Sequence, residues 1–156
     1  MLKFILILFG LILLSLFLHS SICLAVDCNH TDTSFNCVTY VDNYDGDTIT
    51  VDIPNVHPFF GHNAHVRVYG VDTPEMTSTE RCGKTAALKA RNRVRELLTK
   101  AKRIDLTKLA TEKYGRILAV VTADGVDIGS LLLSEKLAYE YHGDTKKKID
   151  WCKFQK

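Results

Sequence analysis

The hydrophobic period changes along this chain from two to between three and four and back, and that change restricts the fold more than any other feature. Thr48-Ile49-Thr50-Val51-Asp52-Ile53 alternates strictly, which puts Ile49, Val51 and Ile53 on one face of a strand. Ala64 to Val71 alternates again, with Val66 and Val68 opposite Arg67 and Tyr69. From Glu80 to Ala101 the apolar residues Ala87, Ala90, Val94, Leu97 and Ala101 recur every three or four positions. That spacing predicts an amphipathic helix of about five to six turns. Ile104-Asp105-Leu106 and Arg116 to Ala123 read as a fourth and a fifth strand, and Asp127 can cap a helix through Leu131, Leu132 and Glu135. Pro54 to Asn63, with two prolines and a glycine, reads as a loop, and Tyr139 to Lys156 as polar and irregular. Three strands, a helix, two strands and a helix suit an α+β protein built on a small barrel.

Only part of the 156 residues is available to that barrel. Phe4 to Leu18 carries no charge, follows Lys3 and leads to Cys23-Leu24-Ala25, the pattern of a secretory signal peptide cut after Ala25. Residues 1–25 are therefore expected to be a leader and 26–156 a single domain, secreted or periplasmic. Left uncleaved, the same segment would be an N-terminal membrane anchor. One of the 20 basic residues, Lys3, and none of the 18 acidic ones precede position 26, so residues 26–156 carry a formal net charge of +1. Bulk charge cannot hold a polyanion here; positive groups must be placed locally. Four cysteines remain beyond the leader: Cys28, Cys37, Cys82 and Cys152. An even count in an exported chain suggests two disulfides with three possible connectivities. Cys28–Cys37 with Cys82–Cys152 is preferred, the first closing a short loop and the second tying the C-terminal tail to the middle of the chain. No cysteine or histidine spacing suits zinc.

Carboxylates and arginines recur in three blocks at predicted strand ends and turns: Asp45-Gly46-Asp47-Thr48, Arg67 to Glu75, and Lys113-Tyr114-Gly115-Arg116. Phosphodiester hydrolysis needs such groups. Negative charge grows on the phosphate oxygens in the transition state, and guanidinium groups and a hard cation neutralise it. A carboxylate must orient or deprotonate a water. Calcium takes oxygen ligands. Asp47 and Asp72 suit the cation, Glu75 the water, and Arg67 and Arg116 the phosphate.

The blocks resemble those of the staphylococcal nuclease (thermonuclease) family, whose pattern is DGDT, then R-x4-DTPE, then YGR. All three stand intact and in order, with similarity from about Val38 to Ala138. The resemblance implies an OB-fold, a five-stranded barrel with two to three helices packed against it. It implies Ca²⁺-dependent hydrolysis of single-stranded DNA and RNA that leaves 3′-phosphates; a monomer is the default expectation. It assigns the cation to Asp47, Asp72 and the Thr73 carbonyl, with Asp45 supporting that loop. Glu75 would act on the water, and Arg67 and Arg116 on the transition-state phosphate. Lys113 and Tyr114 match positions that touch a terminal phosphate of a bound nucleotide, and Tyr139 and Tyr141 resemble base-stacking tyrosines.

The chain departs from the pattern in an aromatic Pro54–Asn63 loop and in a C-terminal helix cut to a stub ending at Trp151-Cys152. Several features have plainer readings. The basic helix face and Lys146-Lys147-Lys148 suit solvated surface, and Tyr139 and Tyr141 suit packing on the barrel. A binding module that holds nucleic acid or protein without cutting is the alternative function; such modules usually lose an acid or an arginine, and none is missing here.

Overall fold

A computed structural model describes residues 27–154; the leader expected at 1–25 lies outside the described residues. The elements, in chain order, are β1 (Ser34–Phe35), β2 (Thr39–Asn43), β3 (Thr48–Asp52), α1 (Pro58–Gly61), β4 (Ala64–Val68), β5 (Val71–Asp72), α2 (Arg81–Lys100), β6 (Ile104–Thr111), β7 (Ile117–Ala123), β8 (Val126–Asp127), α3 (Ile128–Ser134), β9 (Tyr139–Glu140) and α4 (Trp151–Phe154). Five strands have five residues or more: β2, β3, β4, β6 and β7. Together with the two-residue β1 and β8 they form one seven-stranded sheet in the order β1-β6-β7-β4-β3-β2, with β8 added on β7. All neighbours are antiparallel except β4 and β7, which run parallel.

The sheet is strongly coiled. Val38, just before β2, donates its N–H to the carbonyl of Ile104 at the start of β6, 2.9 Å away, so segments from the two sides of the path meet. Inside that curl lie Ile49, Val51, Val66, Val68, Leu106, Ala119 and Val121, all essentially inaccessible. These are the inward positions of the period-two pattern, as a half-buried strand requires.

α2 covers one mouth of the curl with Ala86, Ala87, Ala90, Val94 and Leu98. Its alanines let the helix axis come close to the sheet. Leu98 is the buried residue of the last turn, and Leu97, expected on that face, is only half-buried. Asn43, itself buried, donates to the Arg91 carbonyl at 3.0 Å and to the Asp45 carbonyl at 2.6 Å, fastening the β2–β3 turn to the helix. Asp127 caps α3 by accepting from the Ser130 N–H at 3.1 Å, as expected.

The structure corrects three expectations about local elements. The 54–63 segment is not all loop: Pro58 at its first helical position and the His57 side chain, which accepts from the Phe59 N–H, build the single turn α1. The strand expected over 64–71 breaks at Tyr69-Gly70, where Gly70 has φ +80°, and β5 leaves the main sheet to pair with β9. The tail beyond Tyr139 is not irregular throughout, since it supplies β9 and α4. Both preferred disulfides are present, Cys28–Cys37 and Cys82–Cys152, with Cα–Cα separations of 5.3 and 5.2 Å. Among the described residues no helix is long and apolar enough to cross a membrane.

Candidate active site

Strand register, more than loop chance, brings the three blocks together. β3 pairs antiparallel with β4 so that Thr48 lies opposite Arg67. β4 pairs parallel with β7, with Arg67 opposite Leu118, which leaves Arg116 just before the neighbouring strand. β5 pairs with β9 so that Asp72 lies opposite Tyr139. Asp47, Arg67, Asp72 and Arg116 therefore emerge at one end of the sheet, although up to 69 positions separate them in the chain.

The turn that carries Asp47 is shaped by Asp45, whose Oδ1 accepts from the N–H groups of Asp47 (3.0 Å) and Thr48 (2.7 Å). Gly46 is required there because a Cβ would stand 2.8 Å from Thr73 Cγ2 and 2.9 Å from Ala90 Cβ. Asp47 Oδ2 accepts from both the N–H and the hydroxyl of Thr73, at 2.7 and 2.9 Å. Arg67 lies between the two aspartates, Nη1 3.3 Å from Asp47 Oδ1 and Nη2 3.0 Å from Asp72 Oδ1. All three side chains are buried.

Burial raises the Asp47 carboxyl, the Arg67 guanidinium offsets part of that, and the nearby Asp45 adds to it; the group is pushed up to about 6. The metal-free fold thus holds this proton more tightly than the unfolded chain. Its stabilising contribution is complete below about pH 4 and is lost as pH rises towards 6. Asp47→Asn, which cannot ionise, is expected to flatten the fall in stability of the metal-free protein between pH 4 and pH 7. Melting curves of both proteins in EGTA at the two pH values check this.

Arg116 is half-buried. Its Nη1 donates to Thr48 Oγ1 at 3.1 Å and its Nε to Glu112 Oε2 at 3.3 Å. The turn before it closes with the Gly115 N–H on the Glu112 carbonyl, and Gly115 has φ +82°, a conformation that suits glycine. Lys113 and Tyr114 occupy the tip. The Lys113 ammonium lies 5.0 Å from the centre of the Tyr114 ring, which is exposed.

One pocket of about 400 Å³ unites these groups. Asp45, Asp47, Asp72, Glu75, Arg67 and Arg116 all line it, as do Lys113, Tyr114 and Tyr141. Thr73 sits behind it, held on Asp47. Two expected roles change once the side chains are placed. Tyr139 does not line the pocket; it is buried, its hydroxyl donates to Asp72 Oδ2 at 2.8 Å, and its ring packs on Trp151. That ring is not available to stack on a base. Burial and the hydrogen bond to Asp72 push its hydroxyl up to about 12, so it remains a donor. Lys146, read as solvated tail, instead turns into the pocket with its Nζ 2.5 Å from Glu75 Oε1 and 3.0 Å from Asp72 Oδ1. Burial works against that charge, and the hydrogen bonds to Glu75 and Asp72 outweigh it and raise the ammonium well above its ordinary value.

Sequence reasoning also missed Glu112 and Asp144, which line the same pocket. The one local signal for Glu112 is its position four residues before Arg116, the spacing of their ion pair. Six carboxylates and four cationic side chains face this pocket, a surplus of two negative charges. One divalent cation would balance that surplus, and the available donors are carboxylate oxygens, the type calcium accepts. Among the described residues no three acidic, histidine or cysteine side chains converge as a preformed cage, because Arg67 and Lys146 stand between the acids. The donor chemistry fits calcium, with ligands that must first release internal partners.

The chain belongs to the staphylococcal nuclease family. The model described as staphylococcal nuclease homologue matches residues 65–155. OB-fold architecture follows from that membership. Among curated proteins, the chain is 36% identical over 107 residues to endonuclease YncB of Bacillus subtilis (strain 168), covering 65% of this chain and 48% of that protein. It is 35% identical over 107 residues to SPbeta prophage-derived endonuclease YokF of the same organism, covering 65% of this chain and 34% of that protein. The chain thus spans half or less of the length of these relatives.

Proposed function

We propose that this protein is an exported, calcium-dependent nuclease that hydrolyses phosphodiester bonds of single-stranded DNA and RNA and leaves 3′-phosphates. The observation that carries the reading is the single pocket lined by Asp47, Asp72, Glu75, Arg67 and Arg116 together. Membership of a nuclease family and likeness to two proteins named endonucleases support it. Two disulfides support a working place outside the reducing cytoplasm, as does the apolar run over Phe4 to Leu18.

Asp47, Asp72 and the Thr73 backbone would hold calcium, with Asp45 keeping the turn in shape. Calcium bound there would add positive charge beside the phosphate oxygens. Arg116, half-exposed on the pocket wall, takes a phosphate oxygen and the negative charge that builds on it. Arg67, held between the two aspartates, would add its charge to the same oxygens. Glu75 orients a water and draws its proton as the oxygen bonds to phosphorus. The bond from phosphorus to the 5′-oxygen breaks, and that oxygen takes a proton from solvent water and leaves as a hydroxyl.

Lys113 and Tyr114 reach a neighbouring phosphate. A second pocket, of about 270 Å³, adjoins the first and shares Arg67, Glu112, Lys113 and Tyr141 with it. Val68, Val71 and Leu118 give it apolar walls, and Tyr141 suits a base there, because stacking tolerates any base. The chain works as a monomer in this reading. Digestion of heat-denatured DNA and of RNA by the purified protein tests it. The expected products carry 5′-hydroxyl and 3′-phosphate ends; 5′-phosphate ends, or no digestion, would contradict the reading.

A further inference from the structure

We propose that Lys146 is a built-in competitor for the divalent cation: its ammonium occupies the Asp72–Glu75 side of the pocket and must leave before calcium binds. The inference rests on the calcium reading above and adds to it a residue that sets how tightly the metal is held.

Three observations carry it. The first is contact: Nζ of Lys146 reaches Asp72 Oδ1 at 3.0 Å and Glu75 Oε1 at 2.5 Å, bridging a cation ligand and the water-orienting carboxylate. Asp72 Oδ1 already holds Arg67 Nη2, and its Oδ2 accepts from Tyr139. Both oxygens of this aspartate are engaged, and Lys146 is the one partner of the three whose side chain is half-exposed and able to withdraw into water. The second is charge. With Lys146 in place the pocket has a surplus of two negative charges; without it the surplus is three, so the site attracts a cation more strongly.

The third is the strap that presents the lysine. It is tied at one end by the Tyr141 N–H on the Gly70 carbonyl, 3.0 Å, and at the other by Cys152 on Cys82. Between these ties Gly143, with φ +94°, turns the chain across the pocket mouth. A strap fixed at both ends holds the Lys146 backbone near the acids, and the long side chain can leave without moving the strap. Competition is reciprocal: the factor by which Lys146 weakens calcium binding is the factor by which calcium weakens the Lys146 contact.

Calcium titration of the full chain by isothermal calorimetry, without substrate, tests this. Lys146→Met is expected to bind calcium on the order of tenfold more tightly than the parent. Lys146→Arg keeps the charge and is expected not to tighten. Lys148→Met removes the same charge from the exposed tail and is expected to change affinity by less than about twofold. The rise in melting temperature on adding calcium should be larger for Lys146→Met than for the parent. Parent and Lys146→Met binding calcium equally, or Lys148→Met tightening as much, would overturn the proposal alone. Failure of both parent and Lys146→Met to bind calcium would overturn the calcium reading itself and this proposal with it.

Discussion

Glu75→Gln is expected to slow cleavage of denatured DNA by about 10²–10⁴-fold while oligonucleotide binding stays at the parent level. The side chain is more than half exposed, and among the described residues its one polar contact is with Lys146. Glutamine keeps an oxygen for that ammonium, so the fold and the pocket outline should persist. A surface substitution of this kind changes stability by about 0.5 kcal/mol at most. What disappears is the capacity to draw a proton from water. Single-turnover rates and fluorescence anisotropy on one labelled oligonucleotide separate the two effects. A protein that only binds nucleic acid would show no cleavage for the substitution to remove.

Loss of the Cys82–Cys152 bridge is the second large effect. The bridge closes a sequence separation of 70 residues and holds α4 against the start of α2. Replacing both cysteines with serine is expected to cost about 2–5 kcal/mol, a fall in melting temperature of roughly 10 °C or more. Cys28–Cys37 closes only nine positions, so its loss should cost about 1–2 kcal/mol less. Activity should fall with the larger bridge as well. Trp151, beside Cys152, packs on Tyr139, and Tyr139 holds Asp72 through its hydroxyl. Releasing α4 loosens that prop and the strap that carries Lys146. Melting curves with and without dithiothreitol, read beside cleavage rates, check both effects; an unchanged curve would contradict the role given to the bridge.

Much of the site is legible in the sequence because its parts are local. Asp45, Gly46 and Asp47 form one turn whose hydrogen bonds lie within three residues. Arg67 and Asp72 are five apart and form an ion pair across a short break between strands. The alternation at Thr48–Ile53 places its apolar residues inside because a strand has two faces and only one meets the core. What escapes the sequence is long-range pairing between residues with good local alternatives. Tyr139 resembles an exposed stacking tyrosine, yet its hydroxyl pairs with Asp72, 67 positions away. Lys146 stands in a run of three lysines that any solvated tail could carry, and its partner Glu75 lies 71 positions away. Nothing local distinguishes Lys146 from Lys147; the two ties on the strap decide which of them faces the acids. The break at Tyr69-Gly70 escapes for the same reason, since β5 turns off to meet a strand near the end of the chain.

In the proposed reaction, five side chains from three separate blocks act on one phosphodiester with the help of one cation. Release of acid-soluble fragments from heat-denatured DNA, followed at constant ionic strength in calcium and in EGTA, is the decisive measurement. Rapid release that saturates with calcium and stops on chelation is expected. Equal release in EGTA, or none at any calcium concentration, would contradict it.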